Sequence, residues 1–268
     1  MNTLIAFLHR RPLPAYFILA YAFAWIFYPL IAISPIFGIP ALFAPALAAI
    51  IVSWATGGRP QVGRLLSRVT IWRVHIIWYV IALGLPVALS FLVSLLGRLF
   101  GSSSSIVLAP ITPLALIVFV LVIGEELGWR GYAQLQLEKS YSPLIAAIII
   151  GVLWGFWHLP AFMIPGLPQN EIPLLAFVLW TIALSILAAW LLKYTRRSIL
   201  IATLFHGAAN TFGFLVPDLD VATYRWLLAV VYCLAALLIV VIFGSQLDRS
   251  RSPRHPDHSL PTYAPPKP

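Results

Sequence analysis

The chain has 268 residues, of which 61% are hydrophobic and only 9% are charged. Because ordinary soluble domains carry about 25% charged residues, this composition excludes a soluble domain and indicates an integral membrane protein built as one helix bundle. The formal net charge of +9 does not indicate nucleic-acid binding, because basic residues that flank apolar segments usually set membrane orientation.

Eight apolar segments are candidates for membrane spans, since about 20 apolar residues cross the bilayer core. They are residues 15–33, 41–56, 76–97, 111–137, 143–163, 173–192, 199–216 and 225–243. The first lacks a clear signal-peptide cleavage site, so we take it as a retained span. The fourth spans the bilayer only if protein shields its polar half. We therefore predict an all-α polytopic transmembrane helix bundle of about eight spans.

Lysine and arginine residues are concentrated in alternate loops. Arg10 and Arg11 precede the first span, four arginines lie between the second and third, and Lys193, Arg196 and Arg197 follow the sixth. Because cytoplasmic loops carry the excess of basic residues, we expect both termini in the cytoplasm and a multi-pass protein of the cell membrane.

Three regions follow from these segments. Residues 1–109 hold spans one to three, residues 110–243 hold spans four to eight as the functional core, and residues 244–268 form a basic, proline-rich tail. Its composition predicts that the tail is disordered, and we interpret its His255 and His258 as solvated residues rather than metal ligands.

Five ionisable residues lie well inside the predicted spans, where such groups are costly and usually functional. They are Glu125, Glu126, Arg130, His158 and His206, and the polar amide of Asn210 joins them. At 1.5 Å of rise per residue, the groups other than the Glu126–Arg130 pair lie about 12–22 Å from the cytoplasmic helix ends. This common depth predicts one site, in a wet cavity open to the cytoplasm between the fourth, fifth and seventh spans.

Helical spacing assigns the two glutamates to different faces. Glu126 and Arg130 are four residues apart in the favoured order for an ion pair, whereas Glu125 points about 100° away. Glu126 is therefore interpreted as half of a structural pair and Glu125 as a cavity residue. Gly124 and Gly128 form a small-xxx-small pair that permits close approach of another helix.

The two histidines have a structural alternative, because a histidine in a span often forms a hydrogen bond between helices. Trp154 shares a face with His158, and Asn210 shares one with His206. Trp154 is left open between a packing role and a site role.

A carboxylate in a water-containing cavity can serve as a general base toward water. Histidine and asparagine side chains opposite it can stabilise an oxyanion. This combination suits amide hydrolysis within the membrane. The sequence has neither a His-Glu-x-x-His helix nor a Gly-x-Ser-x-Gly elbow.

Three motifs resemble the CPBP intramembrane proteases, the CAAX prenyl endopeptidase and bacteriocin-processing or abortive-infection family. "EELGWR" is similar to the family's Glu-Glu-x-x-x-Arg motif. "WGFWH" stands where the family has Phe-x-x-x-His, so that Trp154 replaces the phenylalanine, and "HGAAN" supplies the third motif. The resemblance covers about residues 110–215.

The resemblance implies a role for each motif residue. Glu125 activates water with His158 as its partner, His206 and Asn210 stabilise the oxyanion, and Glu126 and Arg130 support them. These roles imply an intramembrane glutamate endopeptidase that acts on a membrane-associated or lipidated substrate. The alternatives are a non-catalytic immunity or scaffold protein of the same fold and a proton-coupled transporter, although the internal repeats common in transporters are not visible.

Zinc is the candidate cofactor, because the family is often labelled a metalloprotease. Glu125, His158 and His206 would be its three ligands. We favour a metal-independent mechanism, because the zinc helix motif is missing and Asn210 is a poor zinc ligand but a good oxyanion donor. The expected partners are the lipid bilayer and the substrate, with no nucleic acid.

Overall fold

The computed structural model describes residues 3–99 and 101–249, and within them nearly all regular structure is helical. This confirms the predicted all-α bundle. The helices are α1 (Thr3–Arg10), α2 (Pro12–Ile31), α3 (Gly38–Leu66), α4 (Ile76–Leu99), α5 (Pro113–Leu121), α6 (Ile123–Gly128), α7 (Gln134–Leu137), α8 (Pro143–Trp157), α9 (Leu174–Tyr194), α10 (Ile199–Thr211) and α11 (Val221–Phe243).

Six helical segments in the described residues are long and apolar enough to cross a membrane. They are Pro12–Ile31, Pro35–Leu66, Ile76–Leu99, Pro143–Met163, Leu174–Tyr194 and Val221–Gln246. The protein is thus a multi-pass membrane protein, and these six segments correspond to predicted spans one, two, three, five, six and eight. The total of eight spans and the cytoplasmic termini remain predictions.

The fourth predicted span is divided rather than continuous. Helices α5 and α6 are followed by a π-helical turn, Trp129–Ala133, and then by α7. Every residue from Gly124 to Gln134 is buried, so protein rather than lipid surrounds the polar half. A hydropathy pattern does not distinguish a segment shielded by neighbouring helices from one that faces lipid.

Close packing of α6 against α3 provides this shielding. A Cβ atom on Gly124 would lie 2.8 Å from the backbone oxygen of Leu42, and one on Gly128 would lie 2.4 Å from Cβ of Pro45. Both positions therefore require glycine. The small-xxx-small pair lets α3 approach the segment that carries the two glutamates, as the sequence predicts.

The seventh predicted span is also short. Helix α10 begins after the N-cap Ser198, whose Oγ accepts from the Ile201 amide at 3.3 Å, and it has 13 residues. A small antiparallel pair follows, in which β2 (Phe214–Leu215) bonds to β1 (Val107–Leu108). The sequence analysis did not predict this pair. It ties the chain that enters α5, which leads to the acids of α6, to the chain that leaves α10, which carries His206.

The described residues that follow α11 are packed against the bundle. Gly244–Gln246 form a 3-10 turn and Leu247 is fully buried, and the disorder expected for residues 244–268 remains a prediction. Burial of one leucine side chain fixes the segment that leaves α11. His255 and His258 lie outside the described residues.

Candidate active site

Glu126 is the centre of a buried polar cluster. Its Oε1 accepts from Arg130 Nη1 at 3.0 Å and from His206 Nδ1 at 2.9 Å. The three side chains are at most 4% exposed. Glu126 therefore bonds to its own helical segment and also to α10. The ion pair was expected from spacing, but the bond to His206, which lies 80 residues away, was not.

Arg130 has a second partner besides Glu126. Its guanidinium carbon lies 4.6 Å from the centre of the Trp154 ring, within the range of a cation–π contact. The aromatic face and the carboxylate together surround a cation that the low-dielectric interior would otherwise destabilise.

Glu125 faces away from this pair, as its position on the helix requires. Its Oε2 accepts a 2.6 Å hydrogen bond from Trp154 Nε1 on α8, and both side chains are buried. The same tryptophan contacts the His206 ring edge to face, with ring centres 4.8 Å apart. Trp154 thus joins Glu125 to the histidine of α10. Sequence spacing predicted that Trp154 lies near His158, but it did not predict the contacts of Trp154 with Glu125 and His206.

His158 is the C-cap of α8, where the helix gives way to the 3-10 turn Leu159–Met163. Its Nδ1 lies 3.0 Å from the carbonyl oxygen of Trp154. A carbonyl only accepts, so we assign the proton to Nδ1. The neutral ring then presents an unprotonated Nε2. Trp157 and Phe177 pack edge to face against the ring and hold its plane.

His206 has an analogous assignment, since its Nδ1 faces the Glu126 carboxylate. The neutral ring therefore also presents an unprotonated Nε2, which accepts hydrogen bonds, and it donates there only when the ring is protonated. Asn210, one turn further along α10, always carries an N–H donor. The two members of the expected oxyanion pair are thus chemically unequal.

One cavity joins these groups. It has a volume of about 400 Å³. Its wall includes Glu125, His158, His206 and Asn210, so the fold brings together all four residues that the sequence nominated. Trp154 also lines it, whereas Glu126 and Arg130 lie behind the wall. Apolar side chains such as those of Val118, Phe177 and Trp180 complete the lining, which is the composition of a site for a largely apolar ligand.

Part of the cavity wall lies near one end of the bundle. It is built by Ile31, Pro35 and Gly38 between α2 and α3, and by Gln169 after α8. These positions are at the end of the bundle opposite the arginine-rich loops. If the cavity opens at this end, the predicted cytoplasmic opening and the predicted cytoplasmic termini exclude each other, because the basic loops lie at the opposite end. Both remain predictions.

The three candidate zinc ligands do not form a preorganised metal site. Among residues 3–99 and 101–249, no group of three or more His, Cys, Asp or Glu side chains is placed to hold a metal ion. The Oε2 of Glu125 is directed to Trp154 rather than to an imidazole. Among the described residues, Glu125, His158 and His206 are therefore not arranged as the three ligands of a zinc site.

Comparison with known proteins identifies the segment that carries the site. Residues 107–212 match the family model described as type II CAAX prenyl endopeptidase Rce1-like. Over 103 residues the chain is 35% identical to CAAX prenyl protease 2 of Methanococcus maripaludis, an alignment that covers 35% of this chain and 38% of that protein. The chain thus matches less than half the length of this relative, and the matched family segment contains all four cavity residues.

Proposed function

We propose that this chain is an intramembrane endopeptidase, because residues 107–212 match the model of the Rce1-like type II CAAX prenyl endopeptidases. It hydrolyses a peptide bond of a membrane-associated or lipidated substrate. The single observation that supports this most strongly is the convergence of Glu125, His158, His206 and Asn210 on one cavity with apolar walls. The name of the archaeal relative makes a prenylated C-terminal peptide the first substrate to test.

Glu125 is the general base in this proposal. Trp154 occupies its Oε2, which leaves Oε1 for a water molecule in the cavity. The unprotonated Nε2 of neutral His158 accepts the second hydrogen of that water and orients it. As the water oxygen bonds to the substrate carbonyl carbon, its proton passes to Glu125. The same proton then moves to the amide nitrogen as the carbon–nitrogen bond breaks.

Asn210 is the principal donor to the oxyanion, because its amide carries N–H groups at any pH at which the protein is folded. His206 contributes a second donor at Nε2 when it is protonated, and Glu126 then stabilises the imidazolium through Nδ1. Removal of one donor from such a site costs about 10²–10³ in kcat. Glu126 and Arg130 act by positioning His206.

The proposed reaction requires no metal. Its steps use a carboxylate, an imidazole and an amide, and the described histidines and acids do not converge as a ligand set. The hydrogen bond of Trp154 also occupies one carboxylate oxygen of Glu125.

The test is cleavage of a prenylated peptide ending in a CAAX sequence by the full chain in lipid nanodiscs. We expect Glu125→Gln to lower kcat by about a hundredfold or more, in the range that general-base removal gives. Glu171→Gln is the matched control, since Glu171 is an exposed acid that does not line the cavity. An unmodified peptide of the same sequence reports whether the lipid matters. Equal turnover by the wild type and Glu125→Gln would overturn the mechanism.

A further inference from the structure

A second cavity lies at the other end of the bundle, about 340 Å³ in volume, between the end of α3, the π-helical turn and the turn that joins α9 to α10. Its wall holds four cations, Arg64, Arg68, Lys139 and Arg197, and none of the described residues that line it is an acid. A neighbouring cavity of about 330 Å³ shares Lys139 and Arg197 and adds Lys193 and Glu138. The combined basic pocket therefore carries five cations and one carboxylate.

The wall of the basic pocket is tied to the protein core. Arg68 Nη1 donates to the carbonyl oxygen of Gly131 at 2.8 Å, and the Arg68 carbonyl accepts from the Ile199 amide at 3.1 Å. The Oγ of Ser198 donates to the Ile71 carbonyl at 2.6 Å. These bonds link the loop after α3 to the π-helical turn and to the start of α10. The segments that carry the cations are thus hydrogen-bonded to one another and are not independent loops.

The acid in this region neutralises only one of the cations. Glu138 Oε2 accepts from Arg197 Nη2 at 3.1 Å. The Nζ of Lys139 donates to the neutral amide oxygen of Gln136 at 2.6 Å, which leaves its charge uncompensated. An anion that entered the pocket would meet several uncompensated donors at once.

The backbone at Arg196 and Arg197 is unusual for arginine. Both residues have positive φ, 57° and 62°, and the amide of Arg197 donates to the Leu192 carbonyl at 3.0 Å. This bond closes a Schellman motif, in which glycine is the preferred residue at the left-handed position. Backbone strain of this kind points to a functional constraint, and here it presents the Arg197 side chain to the pocket.

Exposed aromatic side chains give the level of the basic pocket in the membrane. Tyr141 is 50% exposed and lines its second part, and Trp72 is 59% exposed in the loop that follows Arg68. Tyrosine and tryptophan are enriched where the bilayer meets water. The pocket therefore lies at the level of the lipid head groups, next to the ends of the membrane-spanning helices.

We propose that this basic pocket binds the phosphate group of an anionic phospholipid. Arginine side chains recognise phosphate through charge-assisted and bidentate hydrogen bonds. Basic pockets between transmembrane helices are suited to anionic head groups. A free phosphate ion has the same chemistry, but the level of the pocket favours a lipid. The proposal does not depend on the proposed peptidase activity.

The experiment measures lipid binding by the purified full chain with native mass spectrometry and with thermal unfolding. The probes are phosphatidylglycerol, phosphatidylcholine and inorganic phosphate. We expect phosphatidylglycerol to bind and to raise the Tm, and phosphatidylcholine to do neither at the same concentration. Equal binding of the two lipids would overturn the proposal. Inorganic phosphate that matches the effect of phosphatidylglycerol at equal concentration would overturn the lipid as the source of the phosphate.

The test variant is Arg64→Gln with Lys139→Gln, because both side chains are exposed. We expect phosphatidylglycerol affinity to fall by an order of magnitude or more, roughly what two interfacial charges contribute. The matched control, Arg59→Gln with Arg73→Gln, removes the same charge from the same end of the bundle but outside the pocket. An equal loss in the control would show diffuse surface attraction and would overturn the site. An unchanged Tm without lipid checks that the variants fold.

Discussion

The indole nitrogen of Trp154 donates a 2.6 Å hydrogen bond to Oε2 of Glu125, so a residue of α8 fixes the acid carried by α6. The bond selects which carboxylate oxygen faces the cavity. Trp154 also covers the Arg130 guanidinium and contacts His206. Trp154 stands where the CPBP family has phenylalanine. The substitution of tryptophan therefore adds a hydrogen bond to the proposed base, Glu125.

We expect Trp154→Phe to weaken peptidase activity without abolishing it. Phenylalanine keeps an aromatic face for Arg130 but removes the donor to Glu125. A hydrogen bond to a charged group is worth about 1.5–3 kcal/mol, so we predict a fall of about ten- to a hundredfold in kcat. The measurement is steady-state cleavage of the prenylated peptide, together with the Tm.

Trp180→Phe is the matched control for this substitution. Trp180 also lines the cavity, but its indole makes no hydrogen bond to Glu125. The same atoms are thus removed from the same cavity wall. If the two variants lost activity equally, the hydrogen bond of Trp154 would have no special role.

The two glutamates should respond differently to substitution. Glu126→Gln leaves Arg130 without its buried counter-charge and weakens the bond to His206. Breaking a buried ion pair costs about 3–5 kcal/mol, so we expect a clear drop in Tm as well as lower activity. Glu125→Gln keeps the shape of the side chain and removes only the base, so it should unfold near the wild-type temperature. Thermal unfolding of the two variants side by side makes the comparison, and equal Tm values would contradict it.

Spacing along a helix predicted part of this site because it fixes which residues share a face. Glu126 with Arg130 and Trp154 with His158 are both one turn apart, and both pairs make contact. Contacts between helices were not predictable in this way. The bonds of Trp154 to Glu125 and of His206 to Glu126 join residues 29 and 80 positions apart.

Hydropathy likewise predicted the long helices but not the elements around the site. The residues of α6 are shielded by α3, and the short α10 ends at a strand pair, so neither element has the length of an ordinary span. Polar groups deep in the membrane must be shielded from lipid by protein. The helices that carry them can therefore be shorter and less apolar than ordinary membrane spans. The sequence therefore predicted residues that line one cavity, but it did not predict the lengths of the helices that carry them.

The cavity mouth and the basic loops should be accessible from opposite sides of the membrane. We expect Gln169→Cys to react with an impermeant thiol reagent added outside intact cells, and Arg64→Cys to react only after permeabilisation, both in a Cys233→Ala background. Gln169 lines the active-site cavity and Arg64 lines the basic pocket. The charge of the loops assigns the Arg64 side to the cytoplasm.

Each outcome of the labelling experiment tests a separate statement. Labelling of both cysteines from one side would contradict the position of the mouth in the fold. Labelling of Arg64→Cys alone from outside would reverse the orientation and place the active site toward the cytoplasm. Cysteine at an exposed residue of the Arg64 end, such as Arg73, provides a second report on the orientation.

The last prediction concerns zinc. A catalytic zinc site generally has three protein ligands and one open position. Glu125, His158 and His206 are the three groups available, but the described residues do not place them as a ligand set, and Trp154 occupies one oxygen of Glu125. We therefore expect the active purified protein to contain far less than one zinc per chain and to keep its turnover after treatment with a chelator. Elemental analysis of the same preparation used for the peptidase assay makes the measurement. The opposite result would be near-stoichiometric zinc, with activity lost to the chelator and restored by added zinc. It would mean that the three side chains move together to bind the metal, and that Glu125 acts beside a metal rather than alone.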